Sequence, residues 1–73
     1  MIQYHAIKMF HPVAGHTFGI KGVELDENGE VTYSVLVPDV SCDYSFVSHL
    51  ATVCTNGQLA PEQLLDVIYD SLP

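Results

Sequence analysis

Val31-Thr32-Tyr33-Ser34-Val35-Leu36-Val37 repeats β-branched or aromatic residues at every second position, which sets Val31, Tyr33, Val35 and Val37 on one face of an extended strand. The run is expected to be the central strand. A turn signal stands before it and two helical patterns follow, so it should pair with the residues upstream and be covered by those downstream.

Immediately upstream, Asp26-Glu27-Asn28-Gly29-Glu30 marks a hairpin with two candidate registers. A two-residue Asn28-Gly29 turn would set Glu24 opposite Tyr33 and Asp26 opposite Val31, which spends the core face on carboxylates. A three-residue loop with a left-handed Gly29 sets Leu25 opposite Val31 and Val23 opposite Tyr33, and is preferred. Carried on without a break, this register would put Lys21 opposite Val35 on the inner face. A bulge at Gly22 would turn Lys21 outward and bring Ile20 and Phe18 in. Strand two then covers about residues 16 to 25. Residues 1 to 10 form a first strand, broken by His11-Pro12-Val13-Ala14-Gly15, and the short connection makes that pair antiparallel.

Downstream, Pro38 is expected to end the strand, and Asp39-Val40-Ser41-Cys42-Asp43 offers helix caps. Asp43 as N-cap puts Cys42 and Val47 at the two positions of a hydrophobic staple, whereas Ser41 would pair Val40 with Ser45. From Asp43 onward Phe46, Val47, Leu50, Val53 and Cys54 make one apolar stripe, and Asn56-Gly57 stops the helix. A second helix of about eleven residues starts at Pro61 and buries Leu64, Leu65, Ile68 and Leu72, with Val67 and Tyr69 at its edges. The expected fold is α+β: a three-stranded antiparallel meander followed by two α-helices packed on one face, as a single small domain over residues 1 to 73.

Composition narrows the functional classes. Nine Asp and Glu face two Lys and no Arg, for a formal net charge of −7. Nucleic acid and anionic membrane are not expected partners, because both are bound through Lys and Arg. The N-terminus has neither the basic start nor the apolar core of a signal peptide, and a cytoplasmic location is expected. Apolar residues make up 48% of the chain and charged residues 15%, against about 25% charged in a typical soluble domain. A domain of this size has little interior, so apolar area is expected to remain for self-association, most simply as a homodimer.

Candidate chemistry is sparse. His5, His11 and His16 surround the first hairpin, and His11 and His16 could face each other across its turn to hold a metal, but no Cys-x-x-Cys or His-x-x-x-His pair accompanies them. Cys42 and Cys54 lie at opposite ends of a helix, about 18 Å apart, too far for a disulfide. Cys54 belongs to the apolar stripe. Cys42, beside a helix N-terminus, is the candidate reactive thiol, although His49 lies nearly two turns along the same helix and cannot serve as its base. Ser45 and His49 could hydrogen-bond on the polar face without any Gly-x-Ser-x-Gly context. Gly15-His16-Thr17-Phe18-Gly19-Ile20-Lys21-Gly22 fails as a phosphate loop in its glycine spacing and in lacking the hydroxyl after lysine. Glu62, Asp66 and Asp70, spaced four apart on the outward side of the second helix, are the candidate partner-binding residues. Like charges at that spacing cost helix stability, and a basic protein or a divalent cation would relieve them.

Phe18-Gly19-Ile20, Asp26-Glu27-Asn28-Gly29, Asp39-Val40-Ser41, Asp43, Phe46-Val47, Leu50, Cys54, Asn56, and above all Leu59-x-Pro61-x-x-Leu64-x-Asp66-Val67 with Asp70, together resemble a family of short bacterial proteins of unknown function from Gram-positive anaerobes. The likeness runs from about residue 18 to 72. Ala60 departs from it, standing where a capping serine is usual, and the first 16 residues match poorly. The resemblance implies a small α+β domain and no activity. The expected function is a non-enzymatic protein-interaction or regulatory module that needs no cofactor and associates with itself or another protein. The alternative is a thiol- or metal-dependent protein using Cys42 and the hairpin histidines.

Overall fold

A computed structural model describes residues 1–72: three antiparallel strands followed by two helices. Strand β1 spans Ile2–His11, β2 Gly15–Leu25 and β3 Val31–Ser41. Helix α1 spans Tyr44–Asn56, a 3-10 turn covers Pro61–Gln63, and α2 continues from it as Leu64–Ser71. Both helices lie on one face of the sheet. Val47, Leu50, Ala51 and Cys54 of α1 and Leu64 and Ile68 of α2 close one core with Ile2, Tyr4 and Ile20.

The sheet order is β1-β2-β3, so β2 is the central strand and the valine-rich β3 is an edge. The expectation for Val31–Val37 is corrected on this point. Its alternation is that of a half-buried strand, and an edge strand whose inner face meets a helix layer shows the same pattern. Meanwhile β2 hides its importance behind glycines, which are there because its neighbours press on it. A Cβ on Gly22 would lie 2.6 Å from Tyr4 Cε1, and one on Gly19 2.5 Å from the Val37 carbonyl oxygen.

The β2–β3 register begins as expected, with Leu25 opposite Val31 and Gly29 at a φ of 80°. It then departs. Glu24 pairs with Tyr33 and Val23 with Ser34, because the irregularity falls between Val31 and Tyr33 and not at Gly22. Thr32 is the extra residue. From there the strand runs evenly to Ile20 opposite Val37, which brings Ile20 inward and Lys21 outward without a bulge at Gly22. A second irregularity takes in Pro38, Asp39 and Val40 between the pairs Ile20–Val37 and Phe18–Ser41. Pro38 therefore bends β3 without ending it. Asp39 sits left-handed at a φ of 52°, held by a hydrogen bond from the Thr17 hydroxyl to its carboxylate.

Asp43 caps α1 by accepting from the Phe46 N–H at 3.3 Å. The staple does not form as expected: Cys42 is exposed, and Val40 is the entry residue packed against the core. Ala51 replaces Val53 on the buried stripe, and Val53 is half exposed. Past the helix, the left-handed residue is Gln58 at a φ of 49°, while Gly57 keeps a right-handed backbone. The N–H groups of Gln58 and Leu59 return to the carbonyls of Thr55 and Cys54, the double closure that typically ends a helix at a left-handed residue. In α2, Leu65 is exposed and only Leu64 and Ile68 are fully buried. No helix is long and apolar enough to cross a membrane among the described residues.

Candidate functional site

The sequence candidates are scattered by this architecture. On β1, His5 and His11 share the phase of the face turned away from the helices, whereas His16 pairs with Phe10 and shares the helix-side phase. His11 and His16 thus point to opposite sides. His11 acts locally, because its Nδ1 accepts from the N–H groups of Val13 and Ala14, each at 3.1 Å, and shapes the β1–β2 turn. His16 packs edge-on against Phe10 with ring centroids 5.9 Å apart. Among the described residues, no group of three or more His, Cys, Asp or Glu side chains is arranged to hold a metal ion.

Both cysteines are free thiols. Cys42 is exposed, and Cys54 is buried in the core, where burial pushes its thiol above the ordinary value. Ser45 and His49 are both exposed on α1. Glu62 belongs to the 3-10 turn, so only Asp66 and Asp70 lie on α2, and all three are exposed. Asp66 occupies the first turn of α2, where a negative charge suits the helix dipole.

The less expected features are the two edges of the sheet, which are treated differently. Along β1, residues 2 and 4 turn their backbone groups away from β2, and side chains from α1 and the turn after it meet them. Ile2 donates to Gln58 Oε1 at 3.0 Å and accepts from Gln58 Nε2 at 3.0 Å. Tyr4 donates to Thr55 Oγ1 at 2.8 Å, while the single proton of that hydroxyl goes to the Ala51 carbonyl at 2.9 Å, with the Tyr4 carbonyl farther off at 3.3 Å. The Tyr4 hydroxyl then donates to the Leu59 carbonyl at 2.6 Å, which ties the end of α1 to the sheet. Burial raises the Tyr4 phenol above its ordinary value, helped by Cys54 once that thiol ionises in alkali and by the carboxylates of Glu24 and Glu62.

At the opposite edge, Tyr33, Val35 and Val37 of β3 face Glu24, Gly22 and Ile20 and take part in the ladder with β2. By alternation the N–H and C=O groups of Ser34 and Leu36 point outward. Among the described residues, no side chain of α2 reaches them as Gln58 and Thr55 reach β1. Beside this edge runs an open groove of about 320 Å³, lined mainly by Val35, Val37, Pro38, Pro61, Leu64 and Leu65. Leu36 and Leu65 on this groove are each about half exposed, and Val31 and Tyr33, further along β3, are more than half exposed. A second groove, of about 490 Å³, lies between Glu24 and Tyr33 on the sheet and the Gln58–Glu62 segment.

One sequence signal does point to the β3 edge. Residues 31 to 37 contain no charge, no proline and no glycine, in a chain of net charge −7. That signal is the same one that suggests a central strand, and only the sheet order separates the two meanings. No family model, no curated protein and no solved structure matches the chain.

Proposed function

We infer that this chain is a small, non-enzymatic protein-interaction or regulatory module of the bacterial cytoplasm that works by self-association. The observation that supports it is the set of exposed apolar side chains on the edge strand β3, Val31, Tyr33 and Leu36, together with Leu65 of α2 on the shallow apolar groove that Leu36 also lines. Scattered single apolar residues are ordinary on a protein surface, whereas several gathered on one edge strand with an apolar groove beside them mark a contact surface. Kinship with the short proteins of Gram-positive anaerobes belongs to the same proposal. Its support is that the shared Leu59-x-Pro61-x-x-Leu64 run is a structural unit: Leu59 closes α1, Pro61 opens the 3-10 turn and Leu64 fills the core.

The test is the molecular mass in solution, measured by light scattering and sedimentation over a wide range of concentration. A mass above the 8.0 kDa of one chain, rising with concentration, is expected. A single chain at every concentration would remove self-association from the function.

A further inference from the structure

The geometry points to a two-fold dimer in which the β3 strands of two copies pair antiparallel along their free edges, joining two three-stranded sheets into one of six strands. This rests on the self-association inferred above and names its surface and its partner, a second copy of the chain.

An edge strand presents a ladder of unpaired N–H and C=O groups, and what fits it is another strand. Proteins commonly blunt such edges with lysine, proline, a bulge or a covering segment. Here the first half of β1 is blunted, since Gln58 and Thr55 meet the outward groups of Ile2 and Tyr4, and further along the strand Lys8 puts a charge on the edge. On β3 the bulge at Thr32 and the bend at Pro38 bound the edge at its two ends, and between them Ser34 and Leu36 are left open.

Charge admits a second copy as occupant. Two chains of net charge −7 repel one another wherever carboxylates meet, so a contact between copies needs a surface without them. Residues 31 to 37 carry none. An antiparallel pairing centred near Ser34 and Val35 sets only Val, Thr, Tyr, Ser and Leu against one another, so no like-charge pair opposes it. The same strand serves both sides, as a two-fold contact requires.

The groove supplies the second contact. Tyr33 lies on the helix side of the sheet, since it pairs with Glu24, which in turn pairs with Ile2. In the pairing proposed, the partner's Tyr33 ring comes to lie beside Val35 and Val37, at the mouth of the groove bounded by Leu64 and Leu65. A volume of about 320 Å³ takes an aromatic side chain there. Glu62, also on that groove, offers an acceptor to the phenol.

Ser34→Pro and Leu36→Lys test the pairing. Both positions direct their backbone N–H away from β2, so a proline at 34 removes a donor that the single chain does not use, and proline is tolerated at such edge positions. Each variant is first checked for the circular dichroism spectrum of the folded chain and a cooperative melting transition. The wild type is expected to show twice the monomer mass and both variants the monomer mass. Amide exchange in the wild type is expected to slow by roughly tenfold or more at Ser34 and Leu36 on concentrating the protein, with the β1 edge unaffected. If folded variants keep the dimer mass, self-association survives and the β3 pairing is wrong. If the wild type is monomeric throughout, both fall together.

Discussion

Gln58 holds Ile2 by both of its backbone groups: the side-chain amide accepts from the Ile2 N–H and donates to the Ile2 carbonyl, each at 3.0 Å. It does what a neighbouring strand would do, from a residue 56 positions away. To reach there, Gln58 adopts a left-handed backbone at a φ of 49°, which costs a residue with a Cβ about 1 to 2 kcal/mol. Gln58→Ala keeps that cost and loses three side-chain bonds of about 0.5 to 1.5 kcal/mol each, the third from Nε2 to the Thr55 carbonyl at 2.7 Å, so a loss of about 3 kcal/mol is expected. Gln58→Gly loses the bonds but relieves the backbone, and should be about 1 kcal/mol more stable than the alanine variant. Urea denaturation of the two variants decides it. Alanine and glycine forms of equal stability would mean that the left-handed turn carries no strain.

Tyr4 lies across Gly22, and the space between them admits no methyl group. A Cβ at residue 22 would meet Tyr4 Cε1 at 2.6 Å, Tyr4 Cδ1 at 2.9 Å and Val35 Cγ1 at 3.0 Å. Tyr4 cannot easily swing away, because it is buried and its hydroxyl is bonded to the Leu59 carbonyl. Gly22→Ala is expected to cost about 1 to 3 kcal/mol by overpacking. Combined with Tyr4→Leu it should cost much less than the sum of the two single changes, since the clashing ring is gone. Strict additivity in thermal melts of the four proteins would show that Gly22 is needed for some reason other than Tyr4.

The element order is legible in the sequence because each boundary has its own local chemistry: Asp26 to Gly29 for the hairpin, Asp43 for the start of α1, Pro61 for the turn that leads into α2. What lies beyond the sequence depends on contacts between residues distant in the chain. Gly19 and Gly22 weaken the apolar pattern of β2, and their reason is visible only once Val37 and Tyr4 are in place. The exchange of Val53 for Ala51 on the buried face of α1 follows from how closely that helix lies over β1 and β2. Thr55 reads as part of a polar, solvated side of α1 because nothing local shows that Tyr4, 51 residues earlier, presents a backbone amide to it. Of the candidate residues, the cysteines and histidines stand out by type alone. The bare edge of β3 carries no reactive group, and its uncharged run reads equally well as an interior strand.

Glu62, Asp66 and Asp70 should not behave as one unit. The break between the 3-10 turn and α2 takes Glu62 off the helix, leaving Asp66 in the first turn and Asp70 near the last. A negative charge stabilises a helix at its start and destabilises it at its end. Asp70→Asn is therefore expected to raise stability by about a few tenths of a kcal/mol, and Asp66→Asn to lower it by a similar amount. Glu62→Gln should leave stability nearly unchanged. Melting temperatures at low salt separate the three, and the differences should shrink at high salt as screening sets in. A gain from all three substitutions alike would restore the picture of a single repulsive acidic stripe.

Cys54 and Tyr4 together predict a loss of stability in alkali. Burial raises the Cys54 thiol above 9.0 and the Tyr4 phenol above 10.0, with the nearby negative charges adding to the shift for Tyr4. Below its ordinary value each group is protonated in both the folded and the unfolded chain, and its contribution to stability is fully present. As pH rises past that value the unfolded chain gives up the proton while the folded chain still holds it. Folding then binds protons, so stability falls with rising pH until the folded group also ionises. The slope is at most about 1.4 kcal/mol per pH unit for each group. Denaturation curves should thus hold level, as far as these two groups are concerned, to about pH 8, decline first through Cys54 and more steeply once Tyr4 joins. Cys54→Ala is expected to remove the first part of the decline and Tyr4→Phe the second, each superimposed on its own cost to the core. A wild-type curve still level at about pH 11, beyond the ordinary values of both groups, would mean that neither side chain is shielded from water as its burial implies.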